Sequence, residues 1–351
     1  MDKNICGHRT FLGKLVSVGN LREDTMNSNY LNIFDNLFYD LDRNYDIKEI
    51  YEQASDVLEA VITKLGEVAN EMLVGTSKKD DFVDTVIILF VRKIMEQLDA
   101  INILYSVALL DPAQIILRSL FENTVNLKFI LQEDTEKRAA AYYLDRHYQD
   151  VDKGCVFFDE KSDVVRAILL QKGKEELDSC REKIKKKTQA LDRVIHSKDV
   201  FIEVDTVRRS KLHEKKKKGN RKAYIQWYET CSDITSFYGL MKAVGYKKYY
   251  DSIYGGLSLE AHALNTIMGM TVDDSGFIWK WIRNPEGARD TFELACTLSI
   301  GALHQIYRYI GDGDSEKAEF RDFFSDFQKK RDIVGHNFDM IPNVSSRKEG
   351  L

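Results

Sequence analysis

Only three prolines (Pro112, Pro285 and Pro342) occur in 351 residues. Proline removes a backbone donor and clashes with the preceding turn, so a chain nearly free of it can form long uninterrupted helices. The apolar residues agree with that reading. From about Ile47, Ile50, Ala54, Val57, Leu58, Val61 and Leu65 recur at helical spacing. No internal repeat, no alternation of strands and helices and no sustained heptad is present. The fold expected is all-α, a multi-helix bundle. Residues 1–45 read as a weakly patterned lead-in, and 46–351 as one helical domain with a long basic helical insertion at about 161–222.

Further boundaries follow from local chemistry. A helix is expected from about Asp81 to Leu110, and Asp111-Pro112 reads as an N-cap and first helical position of the next, which runs to about Gln132. Ala139–Val151 is helical in pattern, with a break near Gly154. Val200–Val207 looks β-prone between polar helices, and helical pattern returns over Ala223–Gly245. Tyr254-Gly255-Gly256 reads as a turn, after which Ser258 caps a helix to about Met268. Thr271–Ile282 is loop-like, and two helices follow, from Pro285 to about Ile310 and from Ser315 to His336, where Gly335 threatens the end of the last one.

The composition, 44% hydrophobic and 30% charged, is that of a soluble globular protein, and the length suffices for a sizeable core. The five cysteines form no Cys-x-x-Cys pair, which points to reduced thiols in a cytoplasmic protein and not to a zinc site. The most apolar run, Val86–Val91, falls far short of the roughly 20 residues that span a bilayer, and the N-terminus lacks a signal-peptide pattern. No phosphate loop, dinucleotide-binding glycine pattern or His-Glu-x-x-His motif occurs, and no histidine follows a glutamate by three residues. ATPases, dehydrogenases and standard metalloenzymes are therefore poor fits, and neither a cofactor nor a metal is expected.

Charge is unevenly spread. Arg181–Lys222 holds sixteen Lys and Arg against six Asp and Glu, leaving −15 for the rest of a chain whose net charge is −5. Such a block can attract a phosphate backbone, with Lys185, Lys186, Lys187, Arg208, Arg209, Lys215, Lys216, Lys217 and Lys218 as the contacts. With few aromatic residues to stack on bases, it reads equally as a solvated helical face.

Two polar constellations interrupt apolar helices. Arg118, Glu122 and Asn126 recur every four residues, which reads either as an ion pair orienting neighbouring helices or as an anion contact held by Glu122. Tyr254, Ser258 and His262 share the same period and could face a common cleft. No oxyanion hole or orienting acid accompanies Ser258 and His262, so a nucleophile–base pair is not expected. Leu117-Arg118-Ser119-Leu120-Phe121-Glu122, with Trp227-Tyr228, Gly245, Tyr250, Tyr254, Leu257-Ser258 and His262, resembles the bacterial domain of unknown function 5677 family over roughly residues 80–310. That resemblance implies a helical fold and a shared pocket of Arg118, Glu122, Tyr254, Ser258 and His262. It supplies no activity.

The last motif is Arg331-Asp332-Ile333-Val334-Gly335-His336. Arginine forks onto phosphate oxygens and histidine moves protons near neutral pH, the pairing a metal-independent ribonuclease needs. Arg208–His213 has the same spacing in a lysine-rich setting, so spacing alone is weak evidence. The C-terminal copy differs in following an apolar face of Phe320, Phe323, Phe324 and Phe327. It is similar to the motif of the HEPN superfamily (higher eukaryotes and prokaryotes nucleotide-binding), which has many RNases in toxin–antitoxin and anti-phage systems. The resemblance implies a homodimer whose two protomers build one site, with Arg331 on the scissile phosphate, His336 as acid or base and Asp332 as an orienting group. The leading expectation is thus a metal-independent endoribonuclease, acting on RNA as a toxin or defence effector. The alternative is a non-enzymatic helical sensor or interaction module, binding a small anionic ligand or a regulatory protein partner in the polar cleft.

Overall fold

The computed structural model describes residues 44–75, 82–219, 224–261 and most of 270–341. All but the last two residues of the expected lead-in lie outside these, as does His262. Eleven α-helices are described: α1 (Tyr45–Gly75), α2 (Phe82–Tyr105), α3 (Leu110–Gln132), α4 (Thr135–Gly154), α5 (Asp163–Gln171), α6 (Lys174–Ile195), α7 (Asp199–Lys217), α8 (Phe237–Ala243), α9 (Gly255–Ala261), α10 (Ala288–Ile310) and α11 (Asp314–Asp339). The fold is an all-α multi-helix bundle.

The core follows from the apolar stripes. In α1, Tyr51, Ala54, Leu58, Val61, Leu65 and Val68 are buried on one face, spaced three and four apart. That face packs on α2, α10 and α11, while α3 packs between α2 and α10. Tyr105 sits in the middle of the core, where its hydroxyl donates to the Ala288 carbonyl at 3.0 Å and its ring lies against Tyr51, Phe292 and Phe338. Each such side chain contributes roughly 1.5–3 kcal/mol through burial. The basic α6 and α7 lie against α4.

Several local expectations are corrected. Val200–Val207 is part of α7, because Phe201, Val204 and Arg208 fall on one helical face and are buried; that burial overrides β-branched propensity. Of the expected helix over Ala223–Gly245, the described residues 224–245 form only a 3₁₀ turn (Trp227–Thr230) and the short α8. Serine side chains there satisfy backbone groups locally, with Ser232 donating to the Tyr228 carbonyl at 2.6 Å and Ser236 accepting from Gly239 N at 3.1 Å, and such bonds compete with helix. Helix α3 begins at Leu110, so Asp111 is not its cap; Pro112, in the first turn, forfeits a donor that has no intrahelical partner. Residues expected as a loop form a hairpin, β1 (Met270–Asp273) antiparallel to β2 (Gly276–Trp279), with Thr271 opposite Ile278. Tyr254-Gly255-Gly256 is no turn: a π-helix over Tyr250–Tyr254 runs directly into α9. Ser258 therefore lies mid-helix, half-buried, and caps nothing. Gly335 does not end α11, which continues to Asp339.

Candidate functional site

The polar stripe of α3 meets the π-helix. Arg118 Nε lies 3.3 Å from Glu122 Oε1, and its Nη2 donates to the Tyr254 hydroxyl at 3.1 Å. That hydroxyl in turn donates to Glu122 Oε1 at 2.8 Å, closing a three-membered ring of contacts. The guanidinium carbon is 5.0 Å from the Tyr254 ring centroid, within cation–π range. Burial works against the arginine's charge, but the hydrogen bond to Tyr254 and the charge of Glu122 outweigh it and raise its pKa. Burial also raises the Tyr254 pKa, so the phenol stays protonated and able to donate. π-Turns occur mostly as single turns at functional positions. Here one carries Tyr254 between the rings of Phe121 and Phe237 (centroids at 6.0 and 5.1 Å) and onto the α3 stripe.

Glu122 and Asn126 open onto a cleft of about 730 Å³. Its other walls come from α4 (Tyr142, Tyr143, Asp145, Arg146, His147), the segment after α7 (Tyr224, Trp227, Tyr228), Phe237 and Tyr254. Arg118, bonded to Tyr254, is not among the residues of this lining. The cleft thus differs from the anion site expected around Arg118: its lining carries two carboxylates, Glu122 and Asp145, against one arginine, Arg146.

Asp145, which sequence reasoning did not single out, is the residue of greatest consequence there. It is only 8% exposed. It accepts from Gln149 Nε2 at 2.7 Å and from the Tyr224 hydroxyl at 3.2 Å, and has no ion pair among the described residues. Burial raises its pKa despite those hydrogen bonds. Of the nearby cations, Arg146 lines the cleft and pairs with Asp150 at 3.4 Å, Arg208 pairs with Asp152 while its charge favours the Asp145 carboxylate, and burial lowers the His147 pKa, favouring the neutral ring. One sequence signal existed. Ala141, Asp145 and Tyr148 fall on the buried face of α4, where an aspartate is out of place.

The C-terminal motif lies elsewhere in the molecule. Arg331 Nε donates to Glu293 Oε2 of α10 at 2.6 Å, and Nη2 also meets that oxygen. Gly335, one turn on, makes room: a Cβ there would lie 2.8 Å from Glu293 Oε1. His336 is exposed, about 140° around the helix from Arg331 given five residues at about 100° each. Within one protomer the two side chains do not converge. Asp332 and His336 instead share an exposed face with Ile333, which is 59% exposed.

Much of the basic set serves packing. Arg208 is 7% exposed, donates to Asp152 at 3.0 Å and lies 3.7 Å from the Tyr148 ring centroid. Arg209 pairs with Asp205 at 2.6 Å, Lys215 with Glu229 at 2.8 Å and Lys187 with Asp150 at 3.0 Å. Lys185, Lys186, Lys216, Lys217 and Lys218 are exposed.

Among the described residues, no group of three or more His, Cys, Asp or Glu could hold a metal ion, and no helix is long and apolar enough to cross a membrane. No curated protein and no solved structure matches the chain. The chain belongs to the family of unknown function DUF5677, whose pattern matches residues 84–278 and takes in Arg118, Glu122, Asp145, Tyr254 and Ser258, but not the C-terminal motif.

Proposed function

We propose that this protein is a helical binding module whose aromatic cleft takes a planar, positively charged or hydrogen-bond-donating group. The observation that carries this reading is Asp145: a buried carboxylate without an ion pair among the described residues, set in a cleft walled by tyrosines and Trp227. A buried carboxylate is costly unless paired, and a cationic ligand would supply the partner that the fold does not. Aromatic faces add cation–π attraction at the same place. Arg118, Glu122 and Tyr254 then act as a frame that fixes one wall. Ligand-observed NMR against size-matched planar cations, neutral compounds and anions tests this. Binders should be mainly cations and should be lost in Asp145→Asn; a set dominated by anions contradicts it.

A second reading keeps the metal-independent RNase formed by two copies of the chain, with RNA as substrate and a regulatory partner. It is favoured by one observation, the exposure of Asp332, Ile333 and His336 on a single face of an unbroken α11. It requires Arg331 to leave Glu293 when the second copy or the RNA binds. Incubation of wild type and His336→Ala with total RNA in EDTA separates the readings: cleavage by wild type alone supports the RNase.

A further inference from the structure

A second cavity, of about 530 Å³, lies between α3, the π-helix, α9, α10 and α11. Its volume falls in the roughly 300–1,000 Å³ range of small-ligand sites. It is distinct from the aromatic cleft, with which it shares no lining residue. The inner walls are apolar, with Leu117, Phe121, Leu257 and Leu298 all buried. The charged residues of the same lining are Asp290 and the pair Arg331 and Glu293.

The pair is built in a particular way. Both contacts from Arg331 fall on Glu293 Oε2, through Nε and Nη2. Arg331 Nη1 and Glu293 Oε1 take no hydrogen bond from the described residues. The missing Cβ of Gly335 allows Oε1 to lie against α11. A donor for a carboxylate and an acceptor for an ammonium therefore belong to one charged pair in the lining of a largely apolar cavity. A guanidinium carries five donors in a rigid fork, so it can hold a second carboxylate without releasing the first.

We propose that this cavity binds an α-amino acid with a large apolar side chain. The carboxylate sits on Arg331 Nη1, the ammonium on Glu293 Oε1, and the side chain among Leu117, Phe121, Leu257 and Leu298. The pairing also sets the selectivity: removing either ligand charge leaves Arg331 Nη1 or Glu293 Oε1 without the contact that the ligand supplies.

Titration calorimetry on the full chain tests this with three probes: L-phenylalanine, N-acetyl-L-phenylalanine, which lacks the ammonium, and L-phenylalaninamide, which lacks the carboxylate. Phenylalanine should bind with a Kd of about 1 mM or tighter, and each blocked form at least about tenfold more weakly. Glu293→Gln should weaken phenylalanine by about tenfold while narrowing the gap to the N-acetyl form. Because that change also breaks the pair with Arg331, Thr297→Trp provides a second variant. Thr297 lines the cavity from an exposed position, so tryptophan there should block binding in a protein whose circular dichroism is unchanged. No binding of phenylalanine by folded wild type, or equal binding of all three probes, overturns the proposal. Either result leaves the aromatic cleft untouched, since Asp145 takes no part in it.

Discussion

Tyr254 donates its hydroxyl hydrogen to Glu122 Oε1 at 2.8 Å, across 132 positions of sequence, and the Tyr254 hydroxyl oxygen accepts from Arg118 Nη2 at 3.1 Å. One phenol thus ties the π-helix to the polar stripe of α3. Tyr254→Phe removes both bonds and keeps the ring, and should cost about 1–2 kcal/mol in urea unfolding. Glu122→Ala should cost more, about 2–3 kcal/mol, because it leaves the half-buried Arg118 without its carboxylate. Equal or negligible losses would mean that the ring of contacts does not hold the frame.

Arg331 and His336 should behave differently as mutants. Arg331→Ala breaks the link from α11 to α10 and should lower stability by about 1–2 kcal/mol. His336→Ala, at an exposed position, should stay within about 0.5 kcal/mol of wild type. Thermal unfolding of the two variants checks this, and a large loss in His336→Ala would place that histidine in packing instead of on the surface.

In the basic helices, side chains of like charge have unlike roles. Arg208→Ala removes a buried guanidinium stacked on Tyr148 and paired with Asp152, and should cost about 2 kcal/mol. Lys186→Ala should cost nothing measurable. If the exposed lysines bind a nucleic acid, their removal should reduce the salt dependence of that binding without altering unfolding.

Stability should fall between pH 7 and pH 5 through two histidines. Burial lowers the pKa of His147 first, with Arg146 and Lys187 adding to it; burial, then Arg308 and Lys128, lower that of His304. A depressed folded-state pKa means the native state binds fewer protons than the unfolded chain. Their contribution is therefore present above the unfolded value of about 6.5 and is lost as pH falls through the folded values. The raised pKa of Asp145 has the opposite sign, its contribution fading as pH rises. The histidine part is isolated by comparing wild type with His147→Gln/His304→Gln, whose stability should vary less from pH 7 to 5. Since His147 lines the aromatic cleft, its protonation should also weaken a cationic ligand over the same window.

The helices were legible because stripes such as Ala54, Leu58, Val61 and Leu65 leave little choice, and burial then follows. Arg118, Glu122 and Tyr254 could be singled out since polar residues at four-residue spacing are conspicuous on apolar helices. Their mutual bonds could not, because the π-turn that aims Tyr254 has no local signature. Glu293 was invisible as the partner of Arg331 for a related reason: 38 residues separate them, and only the packing of α10 on α11 brings them together. Asp145 was hidden among Arg138, Arg146 and Asp150, which make α4 look like an ordinary charged surface helix. Val200–Val207 misled through composition, since valine and isoleucine favour strands only until a helical face buries them.

The most direct test of the cleft is calorimetric titration with benzamidinium and benzoate, flat ions of similar size and opposite charge, using wild type and Asp145→Asn. Wild type should bind benzamidinium at least about tenfold more tightly than benzoate, and Asp145→Asn should lose that preference while remaining folded. Tighter binding of benzoate, or a preference for benzamidinium that survives the loss of the Asp145 charge, would contradict a cleft built around that carboxylate.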